Sequence, residues 1–424
     1  MKFKMKSFFL LIVFFSNSSM LFSNEDYVLI PKNILDVKSG TLIEANIHIK
    51  GETIIAINQK ISNDKNKNII LDGVTLIPGL MDSHVHLIGN NELNGYESIS
   101  ESSQMATIYG VKNAKNTLLA GFTTVRNVGA SDFADVALRD AIKNEVIIGP
   151  RMIVSGPTLS ISGGHGDNNL LPFDHNHSHL NHSIVDSPWE ARKAVRINRK
   201  YGADLIKFTA TGGVMSKNTD PNARQFTLEE MKAIVDEAHS HGMTVAAHAH
   251  GLKGIKAAIE AGADSIEHSS FIDLTTIKEA INKNVYLSMD IYVSDYILGE
   301  GIKKGILNES LEKERKVGII QRENFKLAHS LGALMVFGTD AGIYNHGNNA
   351  KQFKYMVEWG MTPLEAIQAA TINAADLFKI NTIGQIKEGF YADIIGVTSN
   401  PLKDIKTLEN VVFVMKNGKI YKNL

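Results

Sequence analysis

The stretch Leu76-Ile-Pro-Gly-Leu-Met-Asp-Ser-His-Val-His-Leu87 decides how the rest of the chain is read. An apolar run stops at Pro78-Gly79 and resumes as a short segment carrying His84 and His86. Residues two apart on a strand point to the same face, so the two imidazoles share one side. Two imidazoles on one face are half of a first-row metal site, because neutral imidazole suits zinc, iron, nickel and copper alike. A lone His-x-His is equally at home as a pair of ordinary core histidines. Further ligands downstream, and the elements that carry them, decide between the two.

Outward from this stretch the chain alternates. Apolar strand-like runs occur at Gly79–Leu87, Thr123–Val128, Arg151–Gly156, Leu205–Thr211, Thr244–His248, Ser265–His268, Val285–Met289 and Leu334–Gly338. Helical patterns lie between and after them, at Ser103–Ala120, Asp132–Asn144, Pro188–Tyr201, Thr227–His241, Leu252–Ala261, Asp273–Lys283, Ser310–Leu331 and Thr362–Phe378. Thr227 followed by Glu230 is a capping box, and Pro188 and Pro363 sit near the first turns of their helices. This alternation predicts an α/β fold, a (β/α)8 TIM-type barrel over residues 78–383. Both ends of the chain are β-rich instead. Asn46–Lys50 alternates, Lys50-Gly51-Glu52 turns, and Thr53–Ile57 follows; Ala392–Val397, Val411–Lys416 and Lys419–Tyr421 match it at the other end, with Asn417-Gly418 as a hairpin turn. The expectation is a small β-sandwich domain built from both ends, residues 24–77 plus 384–424. Pro78-Gly79 is where the chain leaves that domain and enters the barrel.

Composition narrows the classes. A chain of 424 residues has room for one large domain or two ordinary ones. A hydrophobic content of 44% and a charged content of 21% are ordinary for a globular protein and argue against disorder. With 44 basic and 45 acidic residues the net charge is −1, and nothing points to nucleic acid as a partner. Lys2, Lys4 and Lys6 precede the apolar block Phe8–Phe15, and small polar residues follow at Ser16–Ser19 and Ser23. That order predicts a secretory signal peptide over residues 1–23, cut near Ser23 or Asn24, and export to the periplasm or the medium. The block is too short to anchor the mature chain in a bilayer. The absence of cysteine excludes disulfides, thiolate ligands and lipoprotein attachment.

In a (β/α)8 barrel the chemistry sits at the C-terminal ends of the strands, so unusual polar residues should fall late in these runs. In Leu205-Ile-Lys-Phe-Thr-Ala-Thr211, alternation puts Lys207, Thr209 and Thr211 on one face. The opposite, apolar face suits the helices, which sends Lys207 inward. A buried ammonium is costly and its pKa should fall. It either pairs with a buried acid or, as a neutral amine, takes up CO2 to give a carbamate that bridges two cations. Thr244-Val-Ala-Ala-His-Ala-His250 repeats the His-x-His pattern with His248 and His250; Ser265-Ile-Glu-His268 ends in His268, and Val336-Phe-Gly-Thr-Asp340 in Asp340. Each residue alone reads as a loop histidine or a capping aspartate. Together His84, His86, Lys207, His248, His268 and Asp340 occupy late positions of strands one, four, five, six and eight.

At this point the chain resembles the amidohydrolase superfamily over nearly everything after residue 23. The residues that carry the resemblance are Pro78-Gly-Leu-Met-Asp-Ser-His-Val-His86, Lys207, His248, Ile266-Glu-His268 and Gly338-Thr-Asp-Ala-Gly342. Ser162-Gly-Gly-His-Gly-Asp167, Thr211-Gly-Gly-Val-Met-Ser216 and His248-Ala-His-Gly251 look like the metallo-dipeptidase branch, which includes Xaa-Pro and Xaa-Arg/Lys dipeptidases and ochratoxin-type amidases and is related to imidazolonepropionase. The resemblance implies two divalent ions, zinc being the expected one. His84, His86 and Asp340 would hold the first, His248 and His268 the second, with N6-carboxylated Lys207 between them. It implies hydrolysis of a small amide or dipeptide by a water activated between the two cations, Asp340 moving the proton to the leaving amine. His250 is then expected to reach the substrate or to support a metal ligand, and His165, which by itself reads equally as a plain loop histidine, to reach the substrate; a homo-oligomer is a family-level expectation.

Other clusters carry less. Asp174-His-Asn-His-Ser-His179 with His182 reads as an insertion with solvated histidines rather than a metal-capturing loop. Arg224 in Asp220-Pro-Asn-Ala-Arg224 either faces a substrate carboxylate or lies in a surface turn. Glu267, opposite in parity to His268, is read as supporting a ligand or facing a helix. Two rival functions stay open: a one-metal cyclic-amide hydrolase or deaminase like imidazolonepropionase, against which Lys207 argues, and a periplasmic metal- or substrate-binding protein.

Overall fold

The computed structural model describes residues 26–58, 67–175 and 181–423. The expected signal peptide and residues 176–180 of the histidine-rich stretch lie outside the described residues. Five strands open the described chain: β1 (Asp26–Asp36), β2 (Thr41–Ile43), β3 (Asn46–Lys50), β4 (Thr53–Asn58) and β5 (Lys67–Pro78). Eight short strands then alternate with helices: β6 (Leu80–Val85), β7 (Phe122–Asn127), β8 (Arg151–Val154), β9 (Leu205–Thr209), β10 (Thr244–Ala249), β11 (Ser265–His268), β12 (Tyr286–Ser288) and β13 (Met335–Val336). The chain closes on β14 (Ile394–Val397), β15 (Phe413–Lys416) and β16 (Lys419–Asn423).

The strands from the two ends form one mixed eight-stranded sheet, in the order β16-β15-β14-β5-β1-β3-β4 with β2 paired to β1. This corrects the expected β-sandwich. The long strands β1 and β5 run parallel from Tyr27↔Lys67 to Ile34↔Leu76, with a register shift between Pro31 and Asn33, and pass every other strand into one hydrogen-bonded network. Leu29, Ile47, Ile54, Leu76, Ile394 and Phe413 form its apolar core. At the predicted hairpin, Asn417 and Gly418 both take positive φ (48° and 71°), as a tight turn between right-twisted strands demands. A Cβ on Gly418 would fall 1.9 Å from the Gly51 carbonyl oxygen, so only glycine fits there. β14 pairs with β5 up to Ile394↔Pro78, which pins the chain where it turns into β6.

The eight middle strands are parallel within two sheets, β6-β7-β8 and β9-β10-β11-β12-β13. Backbone pairs beyond the strand ends link their edges. Leu159 N donates to the Lys207 carbonyl (2.9 Å) and Thr209 N to the Leu159 carbonyl (3.0 Å), while His86 N donates to Ala341 O (2.7 Å) and Asp340 N to His84 O (2.9 Å). The apolar stripes of the helices pack outside, as with Met231, Ile234, Val235 and Ala238 of the helix Leu228–Ser240, whose capping box at Thr227 and Glu230 is formed. Two helices, Val293–Glu300 and Lys351–Glu358, have no counterpart in the expected set. The expected helix Thr362–Phe378 is broken into Pro363–Ala369 and Ile372–Leu377. At the break the carbonyls of Ala369 and Ala370 accept from Phe337 N (3.1 Å) and Met81 N (2.8 Å), so strand ends take bonds that a continuous helix needs. Among the described residues no helix is long and apolar enough to cross a membrane.

Candidate metal centre

Eight of the residues singled out in the sequence line one cavity of about 240 Å³: His84, His86, His165, Lys207, His248, His250, His268 and Asp340. Strand ends supply them. His84 leaves β6, Lys207 sits in β9, His248 in β10, and His268 closes β11. His268 and Asp340 adopt left-handed backbone (φ 69° and 53°), which costs a non-glycine residue on the order of 1–2 kcal/mol. Their hydrogen-bonded surroundings hold them there, aimed into the cavity.

His84 Nε2 and His86 Nε2 each lie 3.4 Å from Asp340 Oδ1. The other ring nitrogens show what these atoms carry. His84 Nδ1 is 3.1 Å from Glu267 Oε2, and His86 Nδ1 donates to the Gly129 carbonyl at 3.4 Å. With the proton on Nδ1, each Nε2 presents a lone pair to a carboxylate oxygen. Lone pairs converging in a buried site repel unless a cation sits among them. On the opposite side, His248 Nε2 donates to the Gly212 carbonyl (3.1 Å) and His268 Nδ1 to Asp290 (2.8 Å), which leaves His248 Nδ1 and His268 Nε2 bare. Donor atoms of His248, His250 and His268 lie within 4.8 Å of one another, and so do those of His84, His268 and Asp340. His268 belongs to both groups. This donor set of imidazoles and one carboxylate fits a pair of divalent ions.

The electrostatics agree for His84, His86 and His248. Burial holds the His86 ring far down, at about 3, and keeps His84 and His248 well below the ordinary histidine range, so all three rings are neutral. Burial also lowers His268, but Asp290 outweighs it and holds the ring above the usual value. Desolvation pushes Asp340 up to about 7 and Lys207 down to about 8. Lys207 is 3% exposed and lies beside Ala246 of β10 in the sheet register.

Several further residues complete the site, and of these only Glu267 is a candidate read from the sequence. Glu267, read as supporting a ligand or facing a helix, lies inside: Arg126 Nη2 is 2.7 Å from its Oε1 and its Oε2 faces His84. Arg126 binds Glu267 firmly enough to overcome burial and depress its pKa. Asp290 fixes His268 and is itself held by Gln321 Nε2 at 2.9 Å. Asp82 accepts from His84 N (3.2 Å), Thr339 Oγ1 (2.6 Å) and Asn349 Nδ2 (2.8 Å), tying the first strand to the eighth. Arg126 stands late in strand two and Asp290 just after strand seven, two strands that carry none of the six expected ligands.

His165 stacks on His248 with ring centroids 4.2 Å apart, and Ser216 Oγ lies 2.7 Å from its Nδ1. A Cβ on Gly213 would fall 2.2 Å from the His165 ring, so the Gly212-Gly213 pair clears the space this histidine occupies. His250 stacks on His268 (4.6 Å) and contacts Ser270 Oγ (2.7 Å). The remaining sequence candidates stay apart. Arg224 is exposed in a turn paired to Thr211 and lines a different depression. His182 is spent on Asn198 (3.0 Å) and on stacking against Phe133, and His175 pairs with Asp174 at the surface.

Comparison with known proteins gives this geometry its context. The sequence profile of the Amidohydrolase family matches residues 75–421. Ochratoxinase of Aspergillus niger is 35% identical over 371 residues, covering 82% of this chain and 75% of that protein. The crystal structure of a Xaa-Pro dipeptidase with bound methionine in its active site superposes with a TM-score of 0.88 at 36% identity, over 94% of this chain and 100% of that one. A prolidase complexed with N-methylphosphonate-L-proline superposes with a TM-score of 0.86 at 29% identity, over 94% and 100%. The chain belongs to the amidohydrolase family, as a metal-dependent hydrolase similar to ochratoxinase and to these dipeptidases.

Proposed function

We propose that this chain is an exported amidohydrolase with two divalent ions, zinc for preference, that cleaves the amide bond of a dipeptide or an N-acyl amino acid. The observation that carries the reading is the convergence of bare His84 Nε2 and His86 Nε2 on Asp340 Oδ1, each at 3.4 Å, beside bare nitrogens of His248 and His268. His84, His86 and Asp340 would hold one ion and His248 and His268 the other. When bound, the ions supply Lewis acidity at the scissile carbonyl and bring the pKa of water from about 15.7 toward neutrality. The residues do the rest. Lys207, lowered to about 8 by burial, has a larger neutral share at neutral pH than a solvated lysine. That amine takes up CO2 with loss of a proton, and its carbamate then lies between the two groups of ligands. Asp340, at about 7, accepts a proton from the attacking water and returns it to the leaving amine. His165 and His250, on the cavity wall, orient the substrate.

The edge pairs between the two parallel sheets support a closed (β/α)8 barrel over 78–383, with 24–77 plus 384–424 as the composite β-domain. The Lys-first, apolar-second order of residues 1–23 supports export. Chelator treatment should abolish turnover of a dipeptide library, and restoring zinc should bring it back with two ions per chain by elemental analysis. One ion per chain with full activity would favour the cyclic-amide hydrolase reading. Metal binding without turnover would favour a binding protein.

A further inference from the structure

Part of the cavity wall is not used by the metal chemistry. Val214, Met215, Val293 and Ile297 line it, and Glu314 and Gln321 face it from the helix Asn308–Ser330. Glu314 is 3% exposed. Its Oε1 accepts a hydrogen bond from the Ser294 hydroxyl. Gly318 makes room for this pair: a Cβ there would lie 2.5 Å from Ser294 Oγ and 2.8 Å from Glu314 Oε1. Two basic residues on the same helix are engaged elsewhere, Lys313 with Glu309 (2.7 Å) and Arg322 with Asp295 (2.6 Å). No ion pair reaches Glu314 among the described residues. A buried carboxylate without a cation is costly, and one that lines a substrate cavity invites the cation from the substrate.

From this geometry we infer that Glu314 is a specificity-determining residue that receives the cationic head of a basic amino-acid side chain, lysine- or arginine-like, in the substrate amide. The inference rests on the amide-hydrolase reading and deepens it. The lining suits such a side chain, with apolar residues for a methylene stem and the Glu314 carboxyl for its cationic head. Gln321, two turns later on the same helix, donates to the His268 carbonyl at 3.1 Å and ties this wall to the ligand cluster.

The test uses the full, zinc-loaded protein and matched dipeptides carrying lysine or norleucine, which keeps the stem and lacks the ammonium, at either position. The wild type should prefer the lysine member of one pair. Glu314→Gln should lower kcat/KM for that substrate about 30-fold or more, the cost of removing one partner of a buried charge pair, and leave the norleucine substrate within about threefold. Preference for norleucine in both pairs, or an undiminished lysine preference in E314Q, overturns the inference. Calorimetric binding of free L-lysine against L-norleucine supplies a readout without turnover. Equal binding overturns the role of Glu314, whereas tighter lysine binding that E314Q abolishes supports it. Complete absence of hydrolysis would break the amide-hydrolase reading, and the calorimetry would still decide on Glu314. Should E314Q fail to fold, the wild-type contrast between lysine and norleucine decides.

Discussion

Two lysines in this molecule are buried to nearly the same degree, Lys207 at 3% and Lys416 at 6% exposure, and burial lowers both to about 8. Their surroundings differ. Lys416, on β15 of the terminal sheet, donates to the Gly149 carbonyl at 2.6 Å and stands near Arg151, Asp393 and Glu145. Lys207, in β9, shares a cavity with six histidines and Asp340. The first is a satisfied structural amine that clamps the terminal sheet to the segment before β8. The second is an amine surrounded by imidazoles and a carboxyl group. Desolvation alone therefore does not set Lys207 apart; the converging ring nitrogens around it do.

The comparison breaks most sharply at Lys207. Lys207→Ala should abolish two-ion occupancy and lower kcat/KM by at least about 10³-fold, the scale of several kcal/mol of transition-state stabilisation. Short-chain carboxylic acids added to the variant should recover part of that activity by standing in for the carbamate. A variant that kept two ions and full turnover would make Lys207 no more functional than Lys416. A smaller effect is expected one contact further out. Asp290→Asn removes the charge that holds His268 through Nδ1 at 2.8 Å and should weaken metal affinity about 10- to 100-fold, measured by competition with a chelator. Unchanged affinity would show that Gln321 and the β11 backbone orient His268 without Asp290.

Much of this site was legible because its residues obey strand periodicity. His84 and His86, Lys207, His248 and His268 stand at predictable late positions, and an apolar strand leaves a charged residue nowhere to go but inward. The supporting residues were harder to see. Arg126 lies in a strand whose every residue is buried, so parity within it does not separate inside from outside. Asp290 falls just past the end of β12, where no period applies. Glu267 shows the limit of parity: it faces His84 although its neighbour His268 faces the same centre, because His268 leaves the strand with left-handed backbone. The helix break at Ala370-Thr371 was illegible for a related reason. The strand amides that compete for those carbonyls come from Met81 and Phe337, remote in sequence.

The smallest expected effect falls at Lys416 and completes the contrast. Lys416→Met should leave kcat/KM within about twofold, because the residue lies in the terminal sheet and makes no contact with the metal ligands. Its signature belongs to stability. A lysine at about 8 in the folded chain against 10.5 when unfolded binds fewer protons folded than unfolded between those values, so its penalty is full below about pH 8 and fades as the pH rises toward 10.5. The wild type should gain stability across that window relative to K416M, on the order of 3 kcal/mol if the whole shift is realised. Denaturant unfolding at pH 7.5 and pH 10 measures the difference directly. Parallel pH dependences in the two proteins would show that the Gly149 carbonyl and the nearby acids already stabilise the charged amine, and that burial costs Lys416 less than it costs Lys207.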